Sequence, residues 1–508
     1  MKRRFLSVLL CLLAICCVFT ACNNGGDDVT TVPETTPEVT TTSGRVTNPI
    51  IIQTTTPEPK PEDMPNDAKL LIQGVNVTSY VIVYGDTPLN EKAGSLTGKT
   101  IGEDIGQFMQ GENVAMDYDY QCAVRLQTLI KEYYGYDIPI KKDSETKDAS
   151  RYEILIGYTD RLGSIRNKMA LKNYEPCYNL GPNTFKAGLD TQYVICGGSY
   201  GATWHAIDDI EEYFEANKTK ANLDLSSLVV EKAWCELKTV ACLGDSITRG
   251  SQGLPDGDYA TSASLTKQFG SSATAIYLEQ YLSYPATLQR ELWKDYVVFN
   301  YGQGWATMRD YSPGQKDEGP YFYRDTTKFA NCLEQSNNAD FAFDVVLLML
   351  GTNDASSMKT NWTEETLQDF RDQAKFIVDE ILKGSPDAKF VMMNVPHRCD
   401  GHDESEGDTM MRDIQKQLAT DLKLDGYNIY HYDMEAFNIE NMGTGCGSTK
   451  NDELKAHEDY YNILTDTGSP DTTHPNYRGY GKIAEGMIDL LAYLLKGAEA
   501  PKYMIDIG

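Results

Sequence analysis

The sequence predicts an α/β protein in which a doubly wound parallel sheet follows a smaller α/β domain. Two observations lead to this prediction. The chain has 508 residues, which exceeds one ordinary domain, and short apolar runs alternate with helical patterns in its second half. Strands that are buried on both faces and alternate with helices form a parallel sheet. Because 41% of the residues are hydrophobic, the chain can bury the cores that such domains need.

Residues 1–22 have the pattern of an export signal. A basic start at Lys2 to Arg4 precedes a nearly continuous apolar stretch, and small residues then lead to Cys22. This order is typical of a cleavable signal peptide, and the stretch is shorter than the roughly 20 residues of a spanning helix. Phe19-Thr20-Ala21-Cys22 resembles the lipobox of bacterial lipoproteins, which implies lipidation at Cys22. We therefore expect an exported protein, either anchored to the cell membrane as a lipoprotein facing outside or secreted.

Residues 23–65 predict a disordered linker. They are rich in Thr and Pro, as in TTVPETTPEVTTTSG, and contain few large apolar residues. Such a segment cannot bury a core and stays extended. Its expected role is to space the folded part of the chain from the membrane.

Residues 66–233 predict an accessory α/β domain. Tyr118–Tyr134 has apolar residues at helical spacing and is followed by Gly135, which favours a helix end. The layout is similar to that of accessory N-terminal domains found ahead of some glycoside hydrolases. The other expected elements are strands at Tyr152–Gly157 and Gln192–Cys196, a helix at Tyr200–Phe214 and a hairpin over Lys69–Gly85.

Residues 234–500 predict the parallel sheet. In such sheets the ligand site lies beyond the carboxyl ends of the strands, so we expect the functional residues directly after them. The expected strands are Lys238–Leu243, Val297–Tyr301, Asp344–Leu350, Ala388–Val395 and Tyr427–Tyr432, and the expected helices include Glu364–Leu382 and Gly479–Leu495.

The charge of the chain limits its partners. A formal net charge of −28 argues against nucleic acid, because an acidic surface repels phosphate backbones. Electrostatic binding to anionic lipid is not expected for the same reason. Contact with a membrane is therefore expected only through an N-terminal lipid anchor.

Cysteine and histidine spacing predicts neither a metal site nor a cofactor. No two cysteines have C-x-x-C spacing. Cys235 and Cys242 lie close together in sequence and are either bridged or simply buried. The histidines considered as metal ligands are too dispersed: His397, His402, His431 and His457.

A first motif follows the first strand of the parallel sheet. The strand leads into Gly244-Asp245-Ser246-Ile247-Thr248, and a strand followed by a tight turn and a helix exposes a serine hydroxyl at the sheet edge. The serine N–H would lie near a helix N-terminus, where negative charge is favoured. Ser246 is therefore a candidate nucleophile, and the alternative is a serine that caps the helix.

A second motif, Gly351-Thr352-Asn353-Asp354, follows another strand. An asparagine at a strand end can direct its amide N–H groups at a developing oxyanion, and one such donor contributes roughly 3 kcal/mol in other hydrolases. The alternative for Asn353 is an Asx turn.

A third motif, Asp471-Thr472-Thr473-His474, stands near the end of the chain. A carboxylate three residues before a histidine can accept from Nδ1–H, which fixes the tautomer and leaves Nε2 free to take a serine proton. The alternative for His474 is a surface residue beside a helix cap.

Together the three motifs resemble the SGNH hydrolase family, also called GDSL esterases. Gly244–Thr248 is similar to the first block of that family, Gly351–Asp354 to the third and Asp471–His474 to the fifth. The resemblance covers about residues 236–498. It implies a flavodoxin-like, three-layer doubly wound sheet and a carboxylic ester hydrolase that needs no cofactor or metal.

The resemblance also assigns roles to residues of these blocks. Ser246 would be the nucleophile, His474 the general base and Asp471 the residue that orients it. The oxyanion hole would combine the Ser246 N–H, the Asn353 side chain and a main-chain N–H of the second block.

The second block is Asn300–Thr307, which is similar to the family pattern N-x-G-x-S-G-x-T. The glycine that usually donates its N–H is replaced by Trp305. A backbone N–H survives this replacement, but tryptophan cannot adopt every conformation open to glycine. Either Trp305 or Gly304 is therefore expected to supply the donor.

Aromatic residues near the motifs favour a carbohydrate ester as the substrate. The loops Ser251–Leu282 and Asp310–Phe329 would overhang the site, and their tyrosines could contact sugar rings or serve as ordinary packing. We expect an O-acetylesterase acting on cell-surface or environmental polysaccharide through an acyl-enzyme. The alternatives are a lipase or lysophospholipase, and a non-catalytic surface protein that binds glycans. The tyrosines are Tyr259, Tyr277, Tyr281, Tyr311, Tyr321 and Tyr323.

Overall fold

The structure is a computed structural model of the chain, and the contacts within Pro57–Gly508 form one compact unit. The predicted signal, nearly all of the predicted linker and Asp471 lie outside the described residues. The described residues are 65–85, 118–145, 152–161, 164–165, 171, 176–182, 192–251, 282–311, 321–338, 342–358, 361–396, 406–442, 460 and 473–508.

The first part of the described chain forms a six-stranded sheet with two helices. Its strand order is β4-β3-β5-β7-β6-β9, and a separate three-stranded sheet has the order β2-β1-β8. The strands are β1 (Lys69–Ile72), β2 (Val75–Asn76), β3 (Val81–Tyr84), β4 (Ile140–Lys142), β5 (Glu153–Ile156), β6 (Cys177–Pro182), β7 (Gln192–Gly197), β8 (Asn222–Asp224) and β9 (Val230–Trp234), and the helices are α1 (Tyr118–Tyr134) and α2 (Tyr200–Ala216).

The predicted hairpin over Lys69–Gly85 is wrong in its pairing. β1 pairs with the two-residue β2 and, in parallel, with β8. β3 belongs to the other sheet, where it lies between β4 and β5. Apolar runs alone cannot identify strand partners that come from more than 100 residues away.

The second part of the described chain forms the predicted parallel sheet. Its order is β11-β10-β14-β15-β16-β17, in which the first five strands are parallel and β17 is antiparallel. The five parallel strands have the flavodoxin-like order 2-1-3-4-5. The strands are β10 (Lys238–Gly244), β11 (Tyr296–Gly302), β12 (Ala306–Thr307), β13 (Tyr321–Phe322), β14 (Val345–Met349), β15 (Lys389–Met393), β16 (Ile429–Tyr432) and β17 (Met504–Ile505), and β12 and β13 form a separate ribbon.

Helices cover both faces of this sheet, which makes three layers. Successive side chains of a strand point to opposite faces, and β10 shows this alternation: Val240 and Cys242 pack with α4, α9 and α10, whereas Ala241 and Leu243 pack with α5, α7 and α8. The helices are α3 (Ser246–Arg249), α4 (Tyr284–Glu291), α5 (Thr327–Ser336), α6 (Thr352–Met358), α7 (Glu364–Gly384), α8 (Glu406–Leu424), α9 (Met434–Met442) and α10 (Tyr477–Lys496).

The two parts share apolar contacts at the segment that enters β11. Trp293 is buried and belongs to the same hydrophobic cluster as α1 and α2. Nε2 of His205 lies 3.1 Å from the carbonyl oxygen of Lys294, and the hydroxyl of Tyr118 donates to the carbonyl of Arg290 at 3.1 Å. The predicted boundary between domains 66–233 and 234–500 stays a prediction. No helix within the described residues has the length and apolar character needed to cross a membrane.

The register of the central strands brings three loops to one edge. Gly244 at the end of β10 lies opposite Gly302 of β11 and Met349 of β14. A Cβ on Gly244 would overlap Thr248 Oγ1 and would lie 2.6 Å from the carbonyl oxygen of Met349, so only glycine fits there. The residues after these three strand ends are therefore neighbours in space.

Candidate active site

Ser246 is the first residue of α3 and does not cap it. The cap is Asp245, whose side chain accepts from the N–H of Ile247 at 2.9 Å. The helix is one turn long and ends at Gly250, whose φ of 95° is left-handed. The alternative of a capping serine is therefore wrong, because the preceding aspartate performs that function and leaves the hydroxyl of Ser246 available.

His474 supplies a partner for that hydroxyl. Its Nε2 lies 2.8 Å from Oγ of Ser246, which is normal hydrogen-bond distance. Asn476 caps α10 by accepting from the N–H groups of Arg478 and Gly479 at 2.9 and 3.1 Å. The capping role therefore belongs to Asn476, and the ring of His474 faces the serine. The predicted contact with Asp471 lies outside the described residues.

Asn353 lies in the first turn of α6, so the alternative of an Asx turn is wrong. Its Nδ2 donates to the carbonyl oxygen of Ala306 at 2.9 Å. An amide nitrogen carries two N–H groups, so one remains for a substrate. The residue thus connects the third block to the second.

The turn after β11 contains both predicted main-chain donors. It is closed by a bond from the N–H of Ala306 to the carbonyl of Gln303 at 3.2 Å, and Gln303 N–H donates to Gly244 O at 3.0 Å. Trp305 has a φ of 62°, so it adopts the left-handed conformation typical of glycine. Among the described residues, none accepts a hydrogen bond from the N–H of Gly304 or Trp305, and both donors stay available.

The indole of Trp305 is 67% exposed. The main chain beneath it is held firmly, since its carbonyl accepts from the N–H of Tyr321 at 2.9 Å. Its neighbour Gly304 lies against Arg249, whose Nη1 would be 2.7 Å from a Cβ at that position. The turn therefore presents an aromatic side chain to solvent.

Asp354 is a functional candidate that the sequence reasoning missed. The carboxylate is completely buried and accepts from Met308 N–H at 2.9 Å, Arg309 N–H at 3.2 Å and the Tyr311 hydroxyl at 3.1 Å. Burial raises the pKa of Asp354 to about 6, although these hydrogen bonds oppose the shift. Its position directly after Asn353, at a strand end, was the available signal.

The tyrosines expected near the substrate have different environments. Tyr323 is fully buried, and its hydroxyl donates to the carbonyl of Tyr301 at 2.8 Å, so it is a core residue and cannot contact a sugar. Tyr311 is bound to Asp354, and Tyr321 is half-buried in β13. Those outside the described residues are Tyr259, Tyr277 and Tyr281.

The remaining candidates form no site in the described chain. Cys235 and Cys242 are free thiols, so the bridged alternative is wrong. His431 is buried within β16. The described residues contain no group of His, Cys, Asp and Glu side chains that could hold a metal ion. His397, His402 and His457 lie outside them.

The family comparison agrees with this geometry. Residues 240–487 match the model of the GDSL-like lipase/acylhydrolase family, close to the limits of 236–498 inferred from the motifs. A serine and a histidine in hydrogen-bond contact at the carboxyl edge of a flavodoxin-like sheet define an SGNH-type carboxylic ester hydrolase. These residues are a domain of the GDSL-like lipase/acylhydrolase family.

Several solved structures are similar to part of the chain. A family two carbohydrate esterase from Clostridium thermocellum, in complex with cellohexaose, is 17% identical and matches over 53% of this chain and 68% of its own, with a TM-score of 0.33. The M. smegmatis aryl esterase is 16% identical over 51% and 100%, with a TM-score of 0.31. A carbohydrate esterase family 2 enzyme with a carbohydrate-binding domain, from Corynascus thermopiles (Myceliophthora fergusii), is 17% identical over 53% and 69%, with a TM-score of 0.32. No curated protein matches the sequence.

Proposed function

We propose that the protein is a carbohydrate O-acetylesterase that acts through an acetyl-enzyme on Ser246. The observation that carries the proposal is the 2.8 Å distance between Ser246 Oγ and His474 Nε2. His474 takes the hydroxyl proton as the serine oxygen attacks the acetyl carbonyl, and it returns that proton to the departing sugar oxygen. A water molecule then loses a proton to His474 and attacks the acyl-enzyme. As the bond between the acetyl group and Ser246 Oγ breaks, His474 passes that proton to Oγ, and acetic acid leaves.

The negative charge of each tetrahedral intermediate needs hydrogen-bond donors. Three donors can supply them: the Ser246 N–H, the second amide N–H of Asn353, and the N–H of Gly304 or Trp305. No described acceptor uses these main-chain N–H groups, and Asn353 uses only one of its two amide N–H groups, for the Ala306 carbonyl. Donors fixed before the reaction stabilise developing charge without reorganisation. Asp471 orients His474 in this proposal, as the family motif implies.

Trp305 supports a carbohydrate as the alcohol part of the ester. Its indole is 67% exposed, so burial contributes little to keeping a tryptophan there. A left-handed conformation costs a residue other than glycine roughly 1–2 kcal/mol, and such strain is concentrated at functional sites. An exposed aromatic face with one polar edge suits the C–H face of a sugar ring.

Activity assays with small esters test the reaction. Purified protein should release p-nitrophenol from p-nitrophenyl acetate faster than from the octanoate, and Ser246→Ala should abolish release. Ser227→Ala, at an exposed position, is the matched control and should retain full activity. A preference for the octanoate would favour a lipase-type esterase instead. Glycan binding without turnover of any ester would identify a binding protein.

An acetylated oligosaccharide tests the substrate class. Trp305→Ala should lower kcat/KM for acetylated xylo-oligosaccharides by about tenfold, which corresponds to about 1.4 kcal/mol of lost contact, and should leave p-nitrophenyl acetate hydrolysis within about twofold. Trp234→Ala, which removes another exposed tryptophan, is the control and should change neither. Equal losses on both substrates would contradict a sugar contact by the indole.

We further propose that the protein is exported and anchored by lipid at Cys22. The basic start, the apolar stretch and the cysteine that follows small residues support this proposal. Mass spectrometry of the mature N-terminus should find an acylated cysteine as the first residue. A mature protein that begins elsewhere without a lipid would contradict it.

A further inference from the structure

Two adjacent side chains of α6 hold residues 306–309, which continue the turn after β11 at residues 303–306, called the oxyanion turn below. Nδ2 of Asn353 donates to the carbonyl of Ala306 at 2.9 Å. Asp354 accepts from the N–H groups of Met308 and Arg309 at 2.9 and 3.2 Å. These three acceptors and donors lie within four residues of Trp305, so the position of the turn depends on them.

The Asp354 side chain must be a carboxylate to hold this segment. Three donors point at its two oxygens, and the third is the hydroxyl of Tyr311 at 3.1 Å. A carboxylate has about four acceptor positions, whereas a protonated acid or an amide must use part of its capacity as a donor. Either replacement would therefore set a donor against a donor and release part of the segment.

The surroundings of Asp354 oppose its charge. It is completely buried, and an isolated buried charge is costly. The cationic group that faces it is Arg309, which itself pairs with Asp369 through a 2.6 Å bond. Burying this charge lowers the stability of the fold, so stability does not explain why a carboxylate stands here. A role in positioning the main chain explains it.

We propose that Asp354 is a positioning residue of the esterase: its ionised carboxylate fixes Met308 and Arg309 and thereby holds the N–H groups of Gly304 and Trp305 toward the oxyanion. The proposal rests on the proposed function, since it assigns Asp354 to the same site. It also makes the turn sensitive to acid. The raised pKa of Asp354, about 6, means that mild acid protonates the carboxyl group and loosens the segment.

Asp354→Asn tests this role, because it keeps the shape of the side chain and removes the carboxylate. With p-nitrophenyl acetate we expect kcat to fall by about 10²-fold, as for loss of one oxyanion donor, and KM to stay within about twofold. Hydrogen–deuterium exchange over residues 303–311 should become faster. In the unmodified protein, the protection of this segment, corrected for the intrinsic exchange rate, should decrease when the pH is lowered below 6. In the variant the protection should be low at every pH.

Asp344→Asn is the matched control. Asp344 accepts from the N–H of Thr239 at 2.8 Å at the amino end of the same sheet, far along the strands from Ser246. The variant should lose stability but keep kcat and the protection of residues 303–311. Tyr311→Phe, which removes one of the three bonds and keeps the carboxylate, should lower kcat by a few-fold and serves if Asp354→Asn does not fold.

Unchanged kcat and unchanged protection in Asp354→Asn and Tyr311→Phe would overturn the proposal. Loss of kcat in Asp344→Asn equal to that in Asp354→Asn would also overturn it, since both would then report general destabilisation. Failure of the proposed function is a separate result: full activity of Ser246→Ala would remove the esterase mechanism, whereas the exchange data on residues 303–311 would still report what Asp354 holds.

Discussion

Oγ of Ser246 and Nε2 of His474 lie 2.8 Å apart although 228 positions separate the two residues in the sequence. Another residue caps the helix beside each of them: Asp245 caps α3, whose first residue is Ser246, and Asn476, two residues after His474, caps α10. The division of tasks matters chemically. A capping serine would direct its hydroxyl at a backbone N–H, whereas here Oγ of Ser246 contacts the His474 ring.

Because Ser246 and His474 act together, the losses of activity caused by replacing them should not be additive. Ser246→Ala and His474→Ala should each lower kcat for p-nitrophenyl acetate by about 10⁴-fold or more, and the double variant should be no worse than either single one, because one residue cannot act without the other. Steady-state kinetics of the three variants provides the measurement. Losses that multiply in the double variant would show that the two residues act independently.

The sequence predicts the sheet and the helices of the second domain well, because their signals are local. The sequence predicts α7 at Glu364–Leu382, because its apolar residues recur at helical spacing over five turns, and the helix lies at Glu364–Gly384. The apolar run predicts β10 at Lys238–Leu243, and the strand extends one residue further. A long periodic segment identifies such an element without any information on the elements it contacts.

The parts that could not be predicted depend on contacts between distant residues. Nothing in the local sequence indicates that Asp354 binds the main chain at Met308, 46 positions earlier. The left-handed backbone of Trp305 is equally hidden, because a tryptophan normally indicates an ordinary conformation. Both features arise where two strand ends meet, and both concern the oxyanion turn.

The strained backbone of Trp305 predicts that glycine stabilises the fold at this position. Trp305→Gly relieves roughly 1–2 kcal/mol of conformational cost and sacrifices little burial, because the indole is 67% exposed. Glycine loses about 0.5–1 kcal/mol more entropy on folding, so the free energy of unfolding should rise by up to about 1 kcal/mol. Urea unfolding followed by circular dichroism measures the change.

Trp234→Gly is the control for that experiment. Trp234 lies in β9 and is 42% exposed, so its replacement removes a tryptophan without relieving a left-handed backbone. It should lower the free energy of unfolding by about 1 kcal/mol. If both glycine variants are destabilised alike, Trp305 carries no backbone strain.

Replacing Gly201 by alanine tests how closely α2 packs on the segment before β11. A Cβ on Gly201 would overlap the carbonyl oxygen of Trp293 and lie 3.2 Å from Cδ2 of Leu237. Although alanine favours a helix by about 1 kcal/mol over glycine, Gly201→Ala should lower the free energy of unfolding by about 1–3 kcal/mol through overpacking. Thermal unfolding of the full chain measures it.

Gly481 of α10 is the matched comparison, because a Cβ there would meet no atom within 4 Å. Gly481→Ala should raise the free energy of unfolding by up to about 1 kcal/mol, since only helix propensity changes. Stabilisation by both alanines would mean that α2 does not pack against Trp293 in solution, and that the accessory part is separable from the esterase part.

Acid should affect stability through two buried groups with opposite signs. Burial lowers the pKa of His431 to about 4, below its ordinary 6.5. Its contribution is therefore fully present above pH 6.5 and is lost as the pH falls toward 4. The pKa of Asp354, about 6, lies above its ordinary 3.8, so its contribution is present below pH 3.8 and lost as the pH rises through 6. Each amounts to about 3 kcal/mol.

Between pH 6 and pH 4 the two contributions nearly cancel, and His431→Leu should reveal the one that remains. The variant cannot be protonated at this position, so relative to the unmodified protein its free energy of unfolding should increase by about 3 kcal/mol as the pH is lowered from 7.5 to 4. Urea titrations at pH 7.5, 6, 5 and 4 measure the difference. A constant difference over this range would mean that His431 keeps its ordinary pKa and is accessible to water in the folded protein.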